Sequence, residues 1–261
     1  MRYQGSKKRM VNVLKALIEK NLNLGDFYFE PFAGGMNVVS EIDWENKIAN
    51  DINGYIIALW QNIQRGEFSK KMWDFCKNLT KEQYNEIRES YRTDEAFRKK
   101  YAALIGYIGM ACSYGGGWWA GYANFNPKKN ENHILEAYNG MQAQINKFKH
   151  MNVLQTVFTN SEYDKVLPKF PHEKGLIYCD PPYANTRKYA NDFDNEKFWK
   201  WAEGEVKKGN KVIVSEYTAP KDWACIWSKN MQDGMNSDST RRKVEKIFVH
   251  KSQKKIIKIQ F

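Results

Sequence analysis

Residues Phe27–Gly35 read FYFEPFAGG. An apolar, aromatic run of strand type, Phe27–Phe32, ends in Ala33-Gly34-Gly35, and a helix is expected to follow from Asn37. Lys47–Asp51 (KIAND) predicts a second strand and Asn53–Gln64 a second helix. A strand, a glycine turn, a helix, a strand and a helix in that order point to an α/β sheet. Ligands of such sheets bind beyond the carboxyl ends of the strands. Glycines at the first turn let the backbone come close to a small bound molecule. A turn without a ligand could use the same two glycines. What strengthens the functional reading is Asp51, about 20 residues further on at the end of the next strand, where a carboxylate can bind ribose hydroxyls.

Outward from this unit, Lys7–Lys20 predicts an amphipathic helix with Ser6 at its N-cap. Beyond Gln64 the pattern turns helical, with helices expected over Ser69–Lys77, Lys81–Tyr91, Asp94–Tyr107 and Glu131–Lys149. A glycine- and aromatic-rich stretch, Gly106–Phe125, interrupts them. Strands then return at Val153–Thr159, Leu176–Asp180 and Lys211–Ser215, as short apolar runs of the buried kind. A helix is expected over Asn195–Lys208. Lys243–His250 and Lys255–Phe261 predict a closing hairpin, with Val244, Ile247, Val249, Ile256, Ile257 and Ile259 as its apolar positions. The organisation expected is an α/β domain, residues 1–59 and 151–261, with a helical insertion at 60–150 that carries a glycine/aromatic hairpin.

The chain has 261 residues, 42% hydrophobic and 15% aromatic, which excludes disorder and a scaffold too small to hold a core. Its net charge of +11 suits an anionic partner, nucleic acid first, although solubility alone would also use it. The surplus is not spread evenly. Residues 1–20 carry +5, residues 239–261 carry +7, and the rest carry −1. Cys76, Cys112, Cys179 and Cys225 fall at no CxxC spacing, so neither a zinc site nor a redox pair is indicated, and a reducing cytosol is the expected setting. The N-terminus has no apolar core of a signal peptide. Tyr101–Pro127 lacks any charge, but its glycines favour a loop or hairpin over a membrane span.

The sharpest chemical signal is Ile177-Tyr178-Cys179-Asp180-Pro181-Pro182-Tyr183. An apolar strand runs into an acid, two prolines and an aromatic ring. The prolines stop the ladder, so backbone carbonyls there face outward. Asp180 and such a carbonyl form two adjacent acceptors, a match for the two N–H groups of an exocyclic base amine, and Tyr183 offers a face for the ring. The plainer reading is a strand end followed by a proline turn. Glu162, after the third strand, could accept from an adenine amine, or it could be a solvated acid. Arg2-Tyr3-Gln4-Gly5-Ser6-Lys7 precedes a helix and could receive a carboxylate or phosphate, or serve as an ordinary cap.

Together these residues resemble the Dam-type (D12 class) N6-adenine DNA methyltransferases. RYQGSK, FEPFAGG, NDIN at residues 50–53, DPPY, Ser215-Glu216-Tyr217 and Thr240-Arg241-Arg242-Lys243-Val244-Glu245 occur in the family's order. The resemblance implies a Rossmann-like methyltransferase sheet and transfer of methyl from S-adenosyl-L-methionine, with S-adenosyl-L-homocysteine as product. The methyl acceptor would be an adenine flipped out of double-stranded DNA. By the same resemblance Tyr3 and Lys7 bind the methionine part of the cofactor. Glu30, Phe32, Ala33, Gly34 and Gly35 cradle it, Asp51 holds its ribose, and Glu162 and Tyr163 frame its adenine. Asp180, Pro181, Pro182 and Tyr183 grip the target base, with Asp180 also beside the cofactor. No metal is implied, and a monomer is expected. An RNA base methyltransferase and a non-catalytic DNA-binding relic are the alternatives. Two departures stand out. Met36 replaces a third glycine, and its thioether is expected to narrow the backbone approach. The run Tyr101–Pro127 also holds no Arg or Lys to read guanine, so a GATC site does not carry over. Tyr114, Trp118, Trp119, Tyr122 and Phe125 stand there instead, to wedge between bases or to pack the hairpin. Arg2 is left as the candidate guanine contact, and Arg241, Arg242 and Lys243 as phosphate contacts.

Overall fold

The structure, a computed structural model, describes residues 1–124, 131–150, 155–167, 174–182, 193–231 and 243–259. Strands β1 (Phe27–Glu30), β2 (Lys47–Asn50), β3 (Thr156–Thr159), β4 (Gly175–Cys179) and β5 (Lys211–Glu216) run parallel. β7 (Lys243–His250) pairs antiparallel with β5, and β6 (Trp223–Met231) closes the edge antiparallel to β7. The order is β3-β2-β1-β4-β5-β7-β6. Chain order reverses between β1 and β4, so their carboxyl ends flank the crevice where open α/β sheets bind ligands. This is the expected Rossmann-like α/β sheet.

Both faces of the sheet are covered, which is why β1 and β4 read as near-continuous apolar runs. Alternate residues separate cleanly. Tyr28, Ala49, Leu176, Tyr178 and Ile213 join one apolar cluster, and Phe27, Phe29, Ile48, Ile177 and Val212 join the other. Helix α8 (Asn195–Lys207) covers the second face through Phe198 and Ala202. The first face is covered by α1 (Val11–Asn21), α2 (Gly54–Gln64) and the inserted helices. These are α3 (Lys70–Lys77), α4 (Lys81–Thr93), α5 (Glu95–Lys100), α6 (Ala102–Ala111) and α7 (His133–His150). The insertion therefore shares one apolar cluster with the sheet. Gly106 makes the α2–α6 crossing possible, because a methyl group there would lie 2.1 Å from the Tyr55 carbonyl oxygen. The caps follow the sequence. Ser69 and Asp194 accept from their helices' first turns, and Thr80 with Gln83 forms a capping box.

Three expectations fail. Asn37 starts no regular helix, and only a short 3-10 turn, Val39–Glu41, follows the glycines. β7 pairs with β6, and residues 255–259 form no strand. Residues 251–253 form a 3-10 turn, and of the three isoleucines beyond it only Ile257 is buried. The helix expected over Asp94–Tyr107 is two helices, parted at Tyr101, and the second runs on to Ala111. That second helix is buried inside the protein. Among the described residues no helix is long and apolar enough to cross a membrane.

Candidate active site

The carboxyl ends of β1, β2 and β4 bring the predicted residues together. The glycine turn after β1 is held on one side from the end of β2. Ala33 N–H donates to the Asn50 carbonyl (2.8 Å), and Gly34 N–H donates to Asp51 Oδ2 (2.8 Å). Asp51 Oδ1 accepts from Asn53 N–H at 2.8 Å. Each carboxylate oxygen keeps a second lone pair for a further donor. Burial raises the Asp51 pKa, and the two backbone N–H groups pull it back only in part. Asn50 Nδ2 bridges Pro31 O (3.0 Å) and Ser161 O (2.9 Å), tying the β1, β2 and β3 ends together.

Tyr3 lies across the turn. A methyl group at Gly34 would come within 2.6 Å of its ring, and one at Gly35 within 2.7 Å of its Cβ. Gly34 has φ +48° and Met36 φ +56°. The Met36 side chain is wholly buried in the apolar cluster beneath the sheet. The expectation that its thioether narrows the approach is therefore corrected: the residue adopts a glycine-like backbone and turns its side chain into the core.

Asp180, directly after β4, faces Lys7. Lys7 Nζ lies 2.9 Å from Asp180 Oδ1 and 4.0 Å from Glu245 Oε2, and it donates to Gly5 O at 3.1 Å. Its side chain is 7% exposed. Ser6 accepts from Lys8 N–H, so the N-terminal element is a capped turn, a short 3-10 piece (Lys7–Met10) ahead of α1. Glu30 is buried, and its Oε2 has no hydrogen-bond partner. Burial first, then the charge of Asp180, pushes its carboxyl well above the ordinary range. Pro181 is buried and Pro182 half-buried. Behind Asp180, Tyr178 and Ser215 share a hydroxyl hydrogen bond of 2.8 Å, and Glu216 is buried with Oε1 accepting from Tyr217 N–H at 2.7 Å.

Phe32 meets Tyr163 at 5.2 Å between ring centres, and Phe193, Phe198 and Trp201 extend the cluster. Glu162 stays at the surface, 60% exposed and 3.7 Å from Lys197. Arg2 is half-buried against α7, where its guanidinium meets Glu136 (3.3 Å) and His133 (3.4 Å). It lines a cavity of about 320 Å³ with Tyr3, Lys8, Arg9 and Glu136.

The aromatic stretch does not stand ready as a set of wedges. Trp119 is 6% exposed, stacked on Tyr91 (5.3 Å) and edge-on to Tyr84 (5.3 Å). Trp118 stacks on Tyr55 at 5.8 Å. The Tyr122 hydroxyl donates to Leu79 O at 2.7 Å. Trp119 is thus a packing residue in this structure, whereas Trp118 stacks on Tyr55 of α2 and stays half-buried. Tyr114, 65% exposed, faces solvent. Tyr183, Arg241 and Arg242 lie outside the described residues, and Lys243 opens β7. Glu245 stands in the Thr240–Glu245 motif without a role of its own, and sequence reasoning missed Gln144 and the Phe193–Phe198–Trp201 group. They meet the site only through tertiary contacts, and no local pattern marks them. Among the described residues, no three His, Cys, Asp or Glu side chains gather as metal ligands would.

The fold and site define an α/β protein with its ligand crevice at the β1/β4 switch point, a glycine turn on one side and Asp-Pro-Pro on the other. The chain belongs to the D12 class N6 adenine-specific DNA methyltransferase family, whose model matches residues 3–255. It is 22% identical over 216 residues to the type II methyltransferase M.FokI of Planomicrobium okeanokoites, covering 77% of this chain and 31% of that protein. It is 28% identical over 186 residues to the DNA adenine methylase of Vibrio cholerae, covering 67% and 62%. With the DNA adenine methylase of Escherichia coli K12 it shares 23% identity over 257 residues, 88% of each. The chain thus spans about a third of M.FokI and under two thirds of the Vibrio protein.

Proposed function

We propose that this protein is a DNA adenine-N6 methyltransferase that takes a methyl group from S-adenosylmethionine and places it on an adenine flipped from duplex DNA. The observation that carries the reading is Asp180-Pro181-Pro182 at the β4 end, across the switch point from a glycine turn whose carboxylate partner is Asp51. The residues fit the cofactor. Gly34 and Gly35 let Tyr3, a residue the resemblance gives to the cofactor, lie directly against the turn, Asp51 keeps lone pairs for ribose hydroxyls, and Phe32 with Tyr163 offers aromatic faces for a purine. Asp51 would hold the ribose and Glu30 to Gly35 would cradle the rest. Tyr163 serves the adenine better than Glu162, which is turned to solvent and Lys197.

When bound, S-adenosylmethionine supplies an electrophilic methyl group on a positively charged sulfur. The chain's own part is positioning. The Asp180 carboxylate accepts one N–H of the adenine amine and a backbone carbonyl beside Pro181 accepts the other. Together they aim the nitrogen lone pair and hold the departing proton on the Asp180 side. Such alignment replaces a search through orientations, and the apolar walls keep water away from the reacting atoms. By the family resemblance, Tyr183 would supply an aromatic face for the flipped base. Flipping costs a few kcal/mol of stacking, which the exposed Tyr114 helps recover by filling the gap. Arg2, Lys8 and Arg9 around their cavity, and Arg241, Arg242 and Lys243 at the other chain end, serve duplex DNA through phosphates. Arg2, as the resemblance leaves it, is also the candidate for a base-edge contact. One copy carries every residue named, so a monomer suffices.

The test is incubation with labelled S-adenosylmethionine, duplex DNA and structured RNA, followed by digestion to nucleosides. Label is expected in N6-methyldeoxyadenosine. Label only in RNA nucleosides, or in methylguanosine, overturns the reading.

A further inference from the structure

The glycine turn is fastened from outside its own domain. Gln144 projects from α7, the last helix of the insertion, and is buried. Its Nε2 donates to the carbonyls of Gly35 (3.0 Å) and Met36 (2.8 Å) and lies 3.1 Å from Ser40 Oγ. Its Oε1 accepts from the amine of Met1. Two carbonyls on one side and a donor on the other fix which end of the amide faces the turn, since the reverse orientation would set oxygen against oxygen. Asp51 holds the opposite edge through Gly34 N–H. The turn needs such fastening. Two of its residues, Gly34 and Met36, sit at positive φ, no full helix follows, and its own backbone braces it through Met36 N–H to Ala33 O (2.8 Å) and Ser40 N–H to Met36 O (3.2 Å).

We propose that Gln144 is a positioning residue of the cofactor turn, through which the helical insertion sets the shape in which residues 33–37 receive S-adenosylmethionine. The inference rests on the reading of that turn as the cofactor site. It makes the insertion part of the cofactor site as well as the platform for DNA. Losing this donor takes the Gln144 bond from the Gly35 carbonyl and leaves the Met36 carbonyl to Ser40 N–H (3.2 Å), so the turn relaxes toward conformations that bind less well.

The experiment uses the full chain with Gln144→Met, which keeps length and loses both bonding ends, and Gln144→Glu, which keeps shape and loses the donor. Gln142→Met, on the same helix, is the control. S-adenosylhomocysteine affinity is measured by titration calorimetry, amide hydrogen exchange is followed at residues 34–37, and thermal melting is recorded. Both Gln144 variants are expected to weaken binding about tenfold or more and to speed exchange at residues 34–37 selectively. Gln142→Met should match wild type in both. Affinity within twofold of wild type in a variant that melts cooperatively would overturn the proposal. So would exchange that rises evenly over α7 and the sheet, the mark of a purely structural role. If Gln144→Met does not fold, Gln144→Glu carries the same comparison. If wild type itself binds no S-adenosylhomocysteine, the cofactor reading fails, and exchange at residues 34–37 still decides whether Gln144 holds the turn.

Discussion

Replacing Lys7 by methionine separates two roles for one side chain. The family resemblance assigns Lys7 to the methionine end of the cofactor, yet its ammonium lies 2.9 Å from Asp180 Oδ1 and also donates to Gly5 O. At that separation and an effective dielectric near 20, unit charges attract by roughly 6 kcal/mol. The Asp180 side chain is 20% exposed, so solvent screening removes half or more. About 2–3 kcal/mol of restraint on the carboxylate then remains. If that restraint acts in the transition state, its loss lowers kcat about a hundredfold. Lys7→Met is therefore expected to slow single-turnover methyl transfer by about two orders of magnitude while the Kd for S-adenosylmethionine moves less than about threefold. A Kd raised tenfold with near-normal kcat would refute the argument and return Lys7 to the cofactor.

Four further outcomes follow from the same geometry. Because burial and Asp180 raise the Glu30 pKa, the folded protein keeps that proton longer than the unfolded chain does. Stability is then lost as pH rises from about 4.5 toward the folded value, so Glu30→Gln should gain in Tm over wild type at pH 8 and show no gain near pH 4, by scanning calorimetry. Gly35→Ala forces a methyl group within 2.6 Å of Asn37 Nδ2 and 2.7 Å of Tyr3 Cβ, and should cost about 1–3 kcal/mol in denaturant melts and at least tenfold in cofactor affinity. Trp119→Ala should lose about 3–5 kcal/mol of stability, whereas Tyr114→Ala should melt like wild type and weaken DNA binding in a gel-shift assay. Neutralising Arg241, Arg242 and Lys243 together should weaken binding to all duplexes alike and reduce the log–log salt slope by about 3.

The elements legible in the sequence are those whose local pattern matches their burial. β1, β4 and β5 are short, mainly apolar runs because both faces of the sheet are covered, and Asn53, Ser69, Thr80 and Asp194 announce their helices with capping side chains. β6 was hidden. Its WACIWSKNM carries a register shift between Cys225 and Trp227 that breaks strict alternation, so the isoleucines beyond Lys255 look more strand-like than the true partner of β7. The site divides the same way. Asp51 is legible because it stands one strand from the glycine turn it serves. Lys7 and Asp180, or Gln144 and Gly35, meet only once the sheet and the insertion have assembled. For Trp118 and Trp119, an aromatic beside glycines reads alike whether it wedges between bases or packs on Tyr55 and Tyr91.

Met36 shows how a departure from a motif can leave a site intact. A residue with a Cβ at φ +56° costs about 1–2 kcal/mol over glycine. Burying a methionine side chain returns about 1.5–3 kcal/mol, and Met36 is wholly buried beside Val38, Val39 and Ile42. The two terms offset, and the carbonyl is held by Gln144 whatever the side chain. The steric objection to cofactor binding was the one feature favouring a non-catalytic relic, and it fails because the thioether points away from the crevice. Met36→Gly should therefore lose stability through the vacated core space and gain nothing in affinity for S-adenosylmethionine. An affinity gain of tenfold would mean that the side chain obstructs the site after all.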